Sequence, residues 1–328
     1  MKIGNRKIVS ISKPSIKEVI TIDWVLGNYC NFKCSYCHPD ANKGTIKVPN
    51  FDNRVKKNIS HLVDEIKKTY KDKIIFWHFG GGEPTLYKDI VPLMNFLRPL
   101  GPIGFVTNGS RSIRWWKENI HLIDDICLSY HSEYTDLKHL VTAVDTIIGK
   151  VNLAVHVMVN PKLFEKCIED YKILNNLFKD ETISIQLKLL RNSYTGRPFP
   201  YTEEQKEIIN DTDNLYIKGK GNLDNSRIQR PWSILSFEDG TTEKLRPKHI
   251  QDLNGSFEGY ECFAHQEFLE IKRTGEIGKM SCKQQYSKIS NFYSEDFIDT
   301  FSFPKKSVIC EQEICGCLGL LYSRKRKV

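Results

Sequence analysis

Hydrophobic positions between residues 20 and 190 follow two alternating periods. Short β-rich runs predict six strands: Ile20–Leu26, Lys73–Phe79, Ile103–Thr107, Ile126–His131, Val151–Val159 and Ile183–Leu190. Between these strands, apolar residues recur with the spacing of an amphipathic helix. Strands that alternate with helices indicate parallel strands with the helices outside them. The pattern therefore predicts an α/β fold.

The rest of the chain has a different pattern. Residues 191–230 are polar and are broken by Gly and Pro, which indicates a connection. Residues 231–328 form short predicted strands and turns, including a β-hairpin that turns at Arg273–Gly275. The predicted organisation is an N-terminal extension (1–19), a βα domain (20–200), a connection (201–230) and a small C-terminal domain (231–328).

The composition, with 40% hydrophobic and 27% charged residues and a net charge of +8, is that of a soluble globular protein. No apolar run approaches the roughly 20 residues that span a bilayer, and the N-terminus lacks the apolar core of a signal peptide. We therefore expect a cytoplasmic protein with no membrane partner. The stretch 188–250 is nearly balanced in charge and shows no stripe of interleaved aromatic residues, so nucleic-acid binding is not indicated.

The ten cysteines add candidate chemistry, because disulfide frameworks belong mainly to small secreted domains. In a reducing compartment, clustered cysteines indicate metal binding or catalysis. One group, near the start of the chain, contains Cys30, Cys34 and Cys37. A second group, near the end, contains Cys262, Cys282, Cys310, Cys315 and Cys317. Cys127 and Cys167 stand apart and are interpreted as buried small hydrophobic residues.

The first group reads CxxxCxxC and directly follows the first predicted strand. Three thiolates suit three irons of a [4Fe–4S] cube, whereas four would close the cluster for electron transfer. The fourth iron then keeps an open coordination position, as catalytic metal sites do. The alternative is a zinc knuckle in which His38 supplies the fourth ligand.

This motif resembles that of the radical S-adenosylmethionine (SAM) superfamily. The resemblance implies a partial (β/α)6 TIM-like barrel in which the cluster binds SAM and cleaves it reductively. The resulting 5′-deoxyadenosyl radical then abstracts hydrogen from a substrate carbon. Gly81-Gly82-Glu83-Pro84 follows the second strand and matches the family's GGEP motif, which implies that it holds the SAM ammonium group. The resemblance implies further SAM contacts at later strand ends, from Thr107, Asn108, Ser129 and Asn160.

The second group of cysteines surrounds the predicted hairpin. Cys262 and Cys282 flank it, and Cys310 with either Cys315 or Cys317 would complete a four-cysteine site. A Cys–hairpin–Cys unit after such a barrel resembles the twitch or SPASM extensions, which implies a small C-terminal domain with an auxiliary [4Fe–4S] cluster. The alternative is a structural zinc site of the zinc-ribbon kind.

The resemblance implies a radical enzyme but does not name its substrate. We expect oxidation or rearrangement of a small polar substrate, such as a sugar or nucleotide derivative, with the auxiliary cluster as electron acceptor. A flavodoxin or ferredoxin is the expected electron donor. One alternative is modification of a peptide or protein side chain, and another is a non-catalytic iron–sulfur or zinc protein. His131 and His156 are either acids or bases that face the substrate or core histidines, and Cys127 is alternatively a hydrogen donor to a substrate radical.

Overall fold

The computed structural model describes residues 2–3, 6–12, 19–191, 198–209, 233–245, 257–278, 288–311 and 323–328. The chain divides into two compact units. The first contains Met1–Val25, Val48–His78 and Gln229–Val328, and the second contains Leu26–Lys47 and Phe79–Ile228.

The elements are numbered here in chain order. The strands are β1 (Lys2–Ile3), β2 (Arg6–Ser12), β3 (Val19–Val25), β4 (Ile74–Gly80), β5 (Ile103–Thr107), β6 (Asp125–Tyr130), β7 (Asn152–Val159), β8 (Ser184–Leu189), β9 (Ser233–Phe237), β10 (Thr242–Leu245), β11 (Tyr260–Cys262), β12 (Phe268–Ile271), β13 (Glu276–Gly278), β14 (Lys288–Asn291), β15 (Val308–Ile309) and β16 (Lys325–Lys327). The helices are α1 (Asn53–Thr69), α2 (Ile90–Leu97), α3 (Ile113–Asn119), α4 (Leu137–Ile147), α5 (Phe164–Leu177), α6 (203–209), α7 (Ala264–Glu267) and α8 (Phe297–Thr300). Short 3-10 helices lie at Pro84–Leu86, Ile120–Leu122 and Pro161–Leu163.

The second unit contains a parallel sheet in which β5, β6, β7 and β8 are neighbours in chain order. One face of this sheet is apolar: Ile126, Leu128 and Tyr130 alternate along β6 and have no exposed surface. The helix α5 packs against β7 and β8. Because successive side chains of a strand point to opposite faces, Cys127 and Ser129 lie on the other face. We call that face the inner face.

The first unit contains two sheets that join distant parts of the chain. In one, β12 pairs in parallel with β3 and turns back as β13, and β13 pairs with β14. In the other, the N-terminal strand β2 lies between β9 and β16, and β11 pairs with β16 and β15. The hairpin turn contains Gly275, whose φ of 85° favours glycine. The predicted hairpin is therefore present.

The predicted α/β class with parallel strands is confirmed. The six strands expected from the sequence correspond to β3 through β8, with each end within one residue. Within the described residues the strands form open sheets and do not close into a barrel, consistent with a partial TIM-like barrel. No described helix is both long and apolar enough to cross a bilayer. The predicted domain boundaries at residues 19, 200 and 230 stay predictions.

Candidate functional site

The cysteine loop, Leu26–Lys47, belongs to the second unit. Asn28, which is 1% exposed, organises it. Its Nδ2 donates to the carbonyl oxygen of Asp40 at 2.7 Å and to the hydroxyl of Thr45 at 3.0 Å, and its Oδ1 accepts from the backbone N–H of Ile46 at 2.8 Å. One buried side chain thus ties the beginning of the loop to its end. No sequence motif pointed to Asn28, because its role depends on where the loop returns.

The three cysteines of this loop lie close together. The N–H of Cys37 donates to the carbonyl oxygen of Cys34 at 3.0 Å, which places both on one tight turn. Burial, together with the nearby charges of Glu133, Cys30 and Cys37, raises the pKa of Cys34 to about 12. Burial also raises the pKa of Cys30 and of Cys37. A metal or cluster bound here would have to displace the protons of these thiols.

A cluster and a single zinc ion place different demands on the three thiols. Within the described ranges, no three His, Cys, Asp or Glu side chains converge on a point that would hold one metal ion. A zinc knuckle needs such convergence, whereas a [4Fe–4S] cube takes each thiolate on a different iron. In addition, the Nδ1 of His38 accepts the backbone N–H of Asp40 at 3.0 Å.

The GGEP turn meets the cysteine loop through its backbone. Gly81 has a φ of 124°, which favours glycine. A Cβ at Gly82 would lie 2.1 Å from the carbonyl oxygen of Tyr29, so only glycine fits there. The N–H of Glu83 donates to that same carbonyl at 2.7 Å, and the following 3-10 helix begins at Pro84. The close approach of two backbones explains why this turn requires its glycines.

Glu83 is 2% exposed, and its carboxylate accepts hydrogen bonds from other residues of the protein. Its Oε1 accepts from the N–H and hydroxyl of Thr85 at 3.1 and 2.6 Å and from the hydroxyl of Thr107 at 2.6 Å. Its Oε2 accepts from the N–H of Asn108 at 2.6 Å. Burial raises the pKa of Glu83, whereas these hydrogen bonds lower it. Glu83 therefore joins the GGEP turn to the segment that follows β5, and its contact with the SAM ammonium group stays a prediction.

The segment after β5 also reaches the cysteine loop. The Nδ2 of Asn108 donates to the Oδ1 of Asn31 at 2.9 Å and lies 3.6 Å from the sulfur of Cys30. Thr107 and Asn108 are both buried. The structure thus brings together three predicted segments: the cysteine loop, the GGEP turn and the end of β5.

Asn160, predicted to contact SAM, has other partners in this structure. Its Nδ2 donates to the carboxylate of Glu133 and lies 3.5 Å from the hydroxyl of Ser35 in the cysteine loop. Its Oδ1 accepts from the N–H of Lys162 at 3.0 Å. A SAM contact by Asn160 stays a prediction, and no sequence motif pointed to Glu133.

The aromatic residue before the last cysteine contacts a histidine. The hydroxyl of Tyr36 lies 2.7 Å from the Nδ1 of His131, and the two rings stack with centroids 6.0 Å apart. Burial lowers the pKa of His131 to about 4, so its imidazole is neutral at pH 7. Here His131 supports the cysteine loop, and a role as acid or base stays a prediction.

Polar side chains form a row across the inner face of the parallel sheet. Ser129 on β6 is the register partner of His156 on β7, and His156 is the partner of Gln186 on β8. The sulfur of Cys127 lies 3.2 Å from the Nδ1 of His156. Register neighbours are about 5 Å apart, so this row offers hydrogen-bonding groups over about 10 Å. Ser129 was predicted as a SAM contact, and this contact stays a prediction.

The second group of cysteines belongs to the first unit, and its members Cys282, Cys315 and Cys317 lie outside the described residues. Cys262 pairs with Val308 across β11 and β15, and Cys310 lies two residues after Val308. Side chains two apart share a face, so Cys262 and Cys310 lie on one buried face of this ladder. The ammonium group of Lys325 donates to the sulfur of Cys262 at 3.0 Å. The four-cysteine site stays a prediction.

Residues 24–143 match the family model described as "Radical SAM superfamily". The chain carries a radical SAM domain. The matched segment includes the cysteine loop motif, the GGEP turn and the end of β5, which are the segments that the structure joins. The predictions of the radical SAM resemblance and of an enzyme with radical chemistry are confirmed. The domain implies SAM and a [4Fe–4S] cluster, and the assignment of Cys30, Cys34 and Cys37 as ligands of the cluster stays a prediction.

Several proteins with similar sequences are named "GTP 3',8-cyclase". The chain is 26% identical over 251 residues to a "GTP 3',8-cyclase" of Haemophilus influenzae (strain PittGG), a match that covers 64% of this chain and 72% of the relative. It is 29% identical over 150 residues to a "GTP 3',8-cyclase" of Haemophilus influenzae (strain ATCC 51907 / DSM 11121 / KW20 / Rd), covering 44% of this chain and 41% of the relative. The chain thus spans less than half the length of that second relative.

A solved structure supports the fold. The structure named "Native anSMEcpe with bound AdoMet" matches with a TM-score of 0.51 and 13% sequence identity, covering 86% of this chain and 80% of that chain. At this identity the likeness shows the fold alone. It agrees with the α/β fold and the parallel sheet described above.

Proposed function

We propose that this protein cleaves SAM reductively and uses the radical to abstract hydrogen from a small polar substrate, a nucleotide or sugar derivative. The observation that carries the proposal is the set of hydrogen bonds around Glu83. Its backbone binds the cysteine loop at Tyr29, and its carboxylate binds Asn108 at the end of β5. Three motif segments therefore meet within one unit, where a cluster-bound SAM would need them.

The chain's own residues have separable tasks in this proposal. Cys30, Cys34 and Cys37 would hold a [4Fe–4S] cluster, which when reduced supplies the electron that splits SAM into methionine and a 5′-deoxyadenosyl radical. Gly82 would let the GGEP turn pack against the backbone of the cysteine loop, so that the turn lies beside the methionyl end of SAM. Glu83, Thr107 and Asn108 are buried, and exclusion of water at this edge of the sheet would protect a reactive species from side reactions.

The inner face supports the substrate class. The row Ser129–His156–Gln186 presents hydroxyl, imidazole and amide groups, which suit the hydroxyl groups of a sugar or ribose. On the next row, Lys188 is the register partner of Met158 and adds a cation that suits a phosphate group. The relatives named GTP 3',8-cyclase point to the same class, since their name specifies a nucleotide. We therefore place a nucleotide first and a sugar derivative second.

The proposal also includes an auxiliary [4Fe–4S] cluster in the first unit. Cys262 and Cys310 share a buried face, which supports their being two of its ligands. Cys282 and either Cys315 or Cys317 would supply the others. Such a cluster would accept the electron left on a substrate radical when the reaction is an oxidation. A flavodoxin or ferredoxin would deliver the electron that starts the reaction. Either donor would be available to a protein located in the cytoplasm.

Isotope transfer tests the substrate class. Anaerobically reconstituted protein would be incubated with SAM, a reductant and ribose-deuterated GTP, and the 5′-deoxyadenosine would be analysed by mass spectrometry. We expect deuterium in this product, because the radical takes hydrogen directly from the substrate. The controls are Cys34→Ala, which should form no 5′-deoxyadenosine, and His121→Ala at an exposed position, which should behave as the wild type. Deuterium transfer from a labelled peptide but not from GTP would overturn the proposed substrate class.

A further inference from the structure

The carboxylate of Glu133 makes a dense set of contacts with the cysteine loop. Its Oε2 accepts the backbone N–H of Ser35 at 2.8 Å, and its Oε1 accepts the hydroxyl of Ser35 at 2.5 Å. The Nδ2 of Asn160 donates to the same Oε1. Ser35 is the residue between Cys34 and Tyr36, so the contact lies inside the CxxxCxxC motif. Hydrogen bonds to an ionised acceptor are stronger than those between neutral groups.

Glu133 belongs to a short loop that we call the grip loop, His131–Tyr134, between β6 and α4. Its other residues also hold the cysteine loop or anchor the grip loop itself. The hydroxyl of Tyr134 donates to the carbonyl oxygen of Lys33 at 2.9 Å, and its ring stacks on Phe32 with centroids 5.5 Å apart.

The grip loop is rigidly placed. The N–H groups of Tyr134 and Thr135 both donate to the carbonyl oxygen of His131, at 2.9 and 2.8 Å. The hydroxyl of Ser132 lies 3.1 Å from the sulfur of Cys167, and both side chains are buried. A backbone turn and a buried side-chain contact therefore fix the loop from which Glu133 reaches the cysteine motif.

The position of Glu133 has an electrostatic consequence as well as a geometric one. Glu133 accepts the N–H of Ser35, the residue that follows Cys34 directly, and so holds a negative charge close to Cys34. This charge favours the oxidised state of a cluster bound there, since reduction adds further negative charge.

We propose that Glu133 is a positioning residue, which fixes the Cys34–Cys37 half of the cysteine loop and lowers the reduction potential of the cluster held there. The inference rests on the cluster assignment within the proposed function. Nothing in the sequence motifs of the chain assigns a role to Glu133, which lies 98 residues from Ser35. Its role depends on the fold that brings the end of β6 to the loop after β3.

The test compares Glu133→Gln with Glu165→Gln, a matched loss of charge at an exposed residue at the start of α5. The readouts are the melting temperature of the apo protein, iron loss to a chelator, and the EPR spectrum and midpoint potential of the reduced cluster with and without SAM. We expect Glu133→Gln to keep the apo melting temperature, to lose iron roughly tenfold faster and to have a more positive potential. Glu165→Gln should match the wild type in every readout.

A compensating variant separates positioning from a merely structural role. In Glu133→Gln/Asn160→Asp the amide and carboxylate exchange places, so the negative charge and the hydrogen bond between the two side chains are restored. We expect this double variant to recover most of the slow iron loss and the low potential. The proposal would be overturned if Glu133→Gln had the EPR spectrum and midpoint potential of the wild type. It would also be overturned if the only change in this variant were a lower melting temperature of the apo protein. These cluster readouts need no substrate, so a failure of the proposed substrate class would leave the comparison intact.

Discussion

The two groups of cysteines differ in how the chain brings their members together. Cys30, Cys34 and Cys37 lie within eight residues on one loop, and hydrogen bonds with Glu83, Asn108 and Glu133 hold that loop. Cys262 and Cys310 lie 48 residues apart and share a face only because β11 pairs with β15. A site built on one loop needs little of the fold to form its ligand set, whereas a site built across strands needs correct pairing first.

This difference predicts that a substitution in one group of cysteines leaves the function of the other group intact. Cys34→Ala removes a cluster ligand on the loop, so we expect SAM cleavage to fall by at least roughly a hundredfold, beyond the 10–100-fold typical of changes around a metal ligand. Cys262→Ala should leave SAM cleavage within about twofold of wild type while lowering iron content. Iron analysis and 5′-deoxyadenosine formation without substrate would measure both. Equal loss of SAM cleavage in the two variants would contradict the separation.

The next largest effect is expected at the contact between the GGEP turn and the cysteine loop. Gly82→Ala places a Cβ 2.1 Å from the Tyr29 carbonyl oxygen, so one backbone must move. We expect a loss of about 1–3 kcal/mol in the free energy of unfolding and roughly tenfold weaker SAM binding, because overpacking displaces the turn. The control is Gly80→Ala, where an added Cβ meets nothing within 4 Å. Denaturant unfolding and equilibrium dialysis with SAM would measure both quantities, and equal behaviour of the two variants would refute the expectation.

A smaller effect is expected on the inner face. His156→Ala removes the middle of the row Ser129–His156–Gln186 and its contact with Cys127. In this variant we expect the apparent affinity for GTP, measured by its stimulation of SAM cleavage, to be roughly tenfold weaker than in the wild type, because a hydrogen-bonding group is lost. SAM cleavage without substrate should stay unchanged. The control is His121→Ala at an exposed position. If both variants respond to GTP as the wild type does, the row does not contact the substrate.

The smallest effect on SAM cleavage is expected in the hairpin of the first unit. In Gly275→Ala, the alanine would have to adopt a φ of 85°, and its Cβ would lie 2.3 Å from the ring of Tyr293. We expect about 1–3 kcal/mol less unfolding free energy, because both the backbone and the packing are strained, with SAM cleavage near wild type at low temperature. Gly259→Ala has a similar φ without a close contact and should lose less. Chemical denaturation would measure this, and equal losses would contradict the role of the contact with Tyr293.

The same contrast explains what the sequence could predict. The strands β3 to β8 follow from local hydrophobic patterns, and the CxxxCxxC and GGEP segments follow from spacing after strands. Asn28 and Glu133 could not be found in this way, because their hydrogen-bond partners depend on the return of a loop and on a residue 98 positions away. The parallel pairing of β12 with β3 could not be predicted from local patterns either, since it joins residues near 21 and 268.

Anaerobic reconstitution of the full chain, followed by quantification of 5′-deoxyadenosine under dithionite, tests the central claim most directly. Wild-type protein should bind at least about four irons per chain, the content of one [4Fe–4S] cluster, and form 5′-deoxyadenosine from SAM. Cys34→Ala should form none. Bound zinc in place of iron, or equal 5′-deoxyadenosine formation by the wild type and Cys34→Ala, would contradict the account.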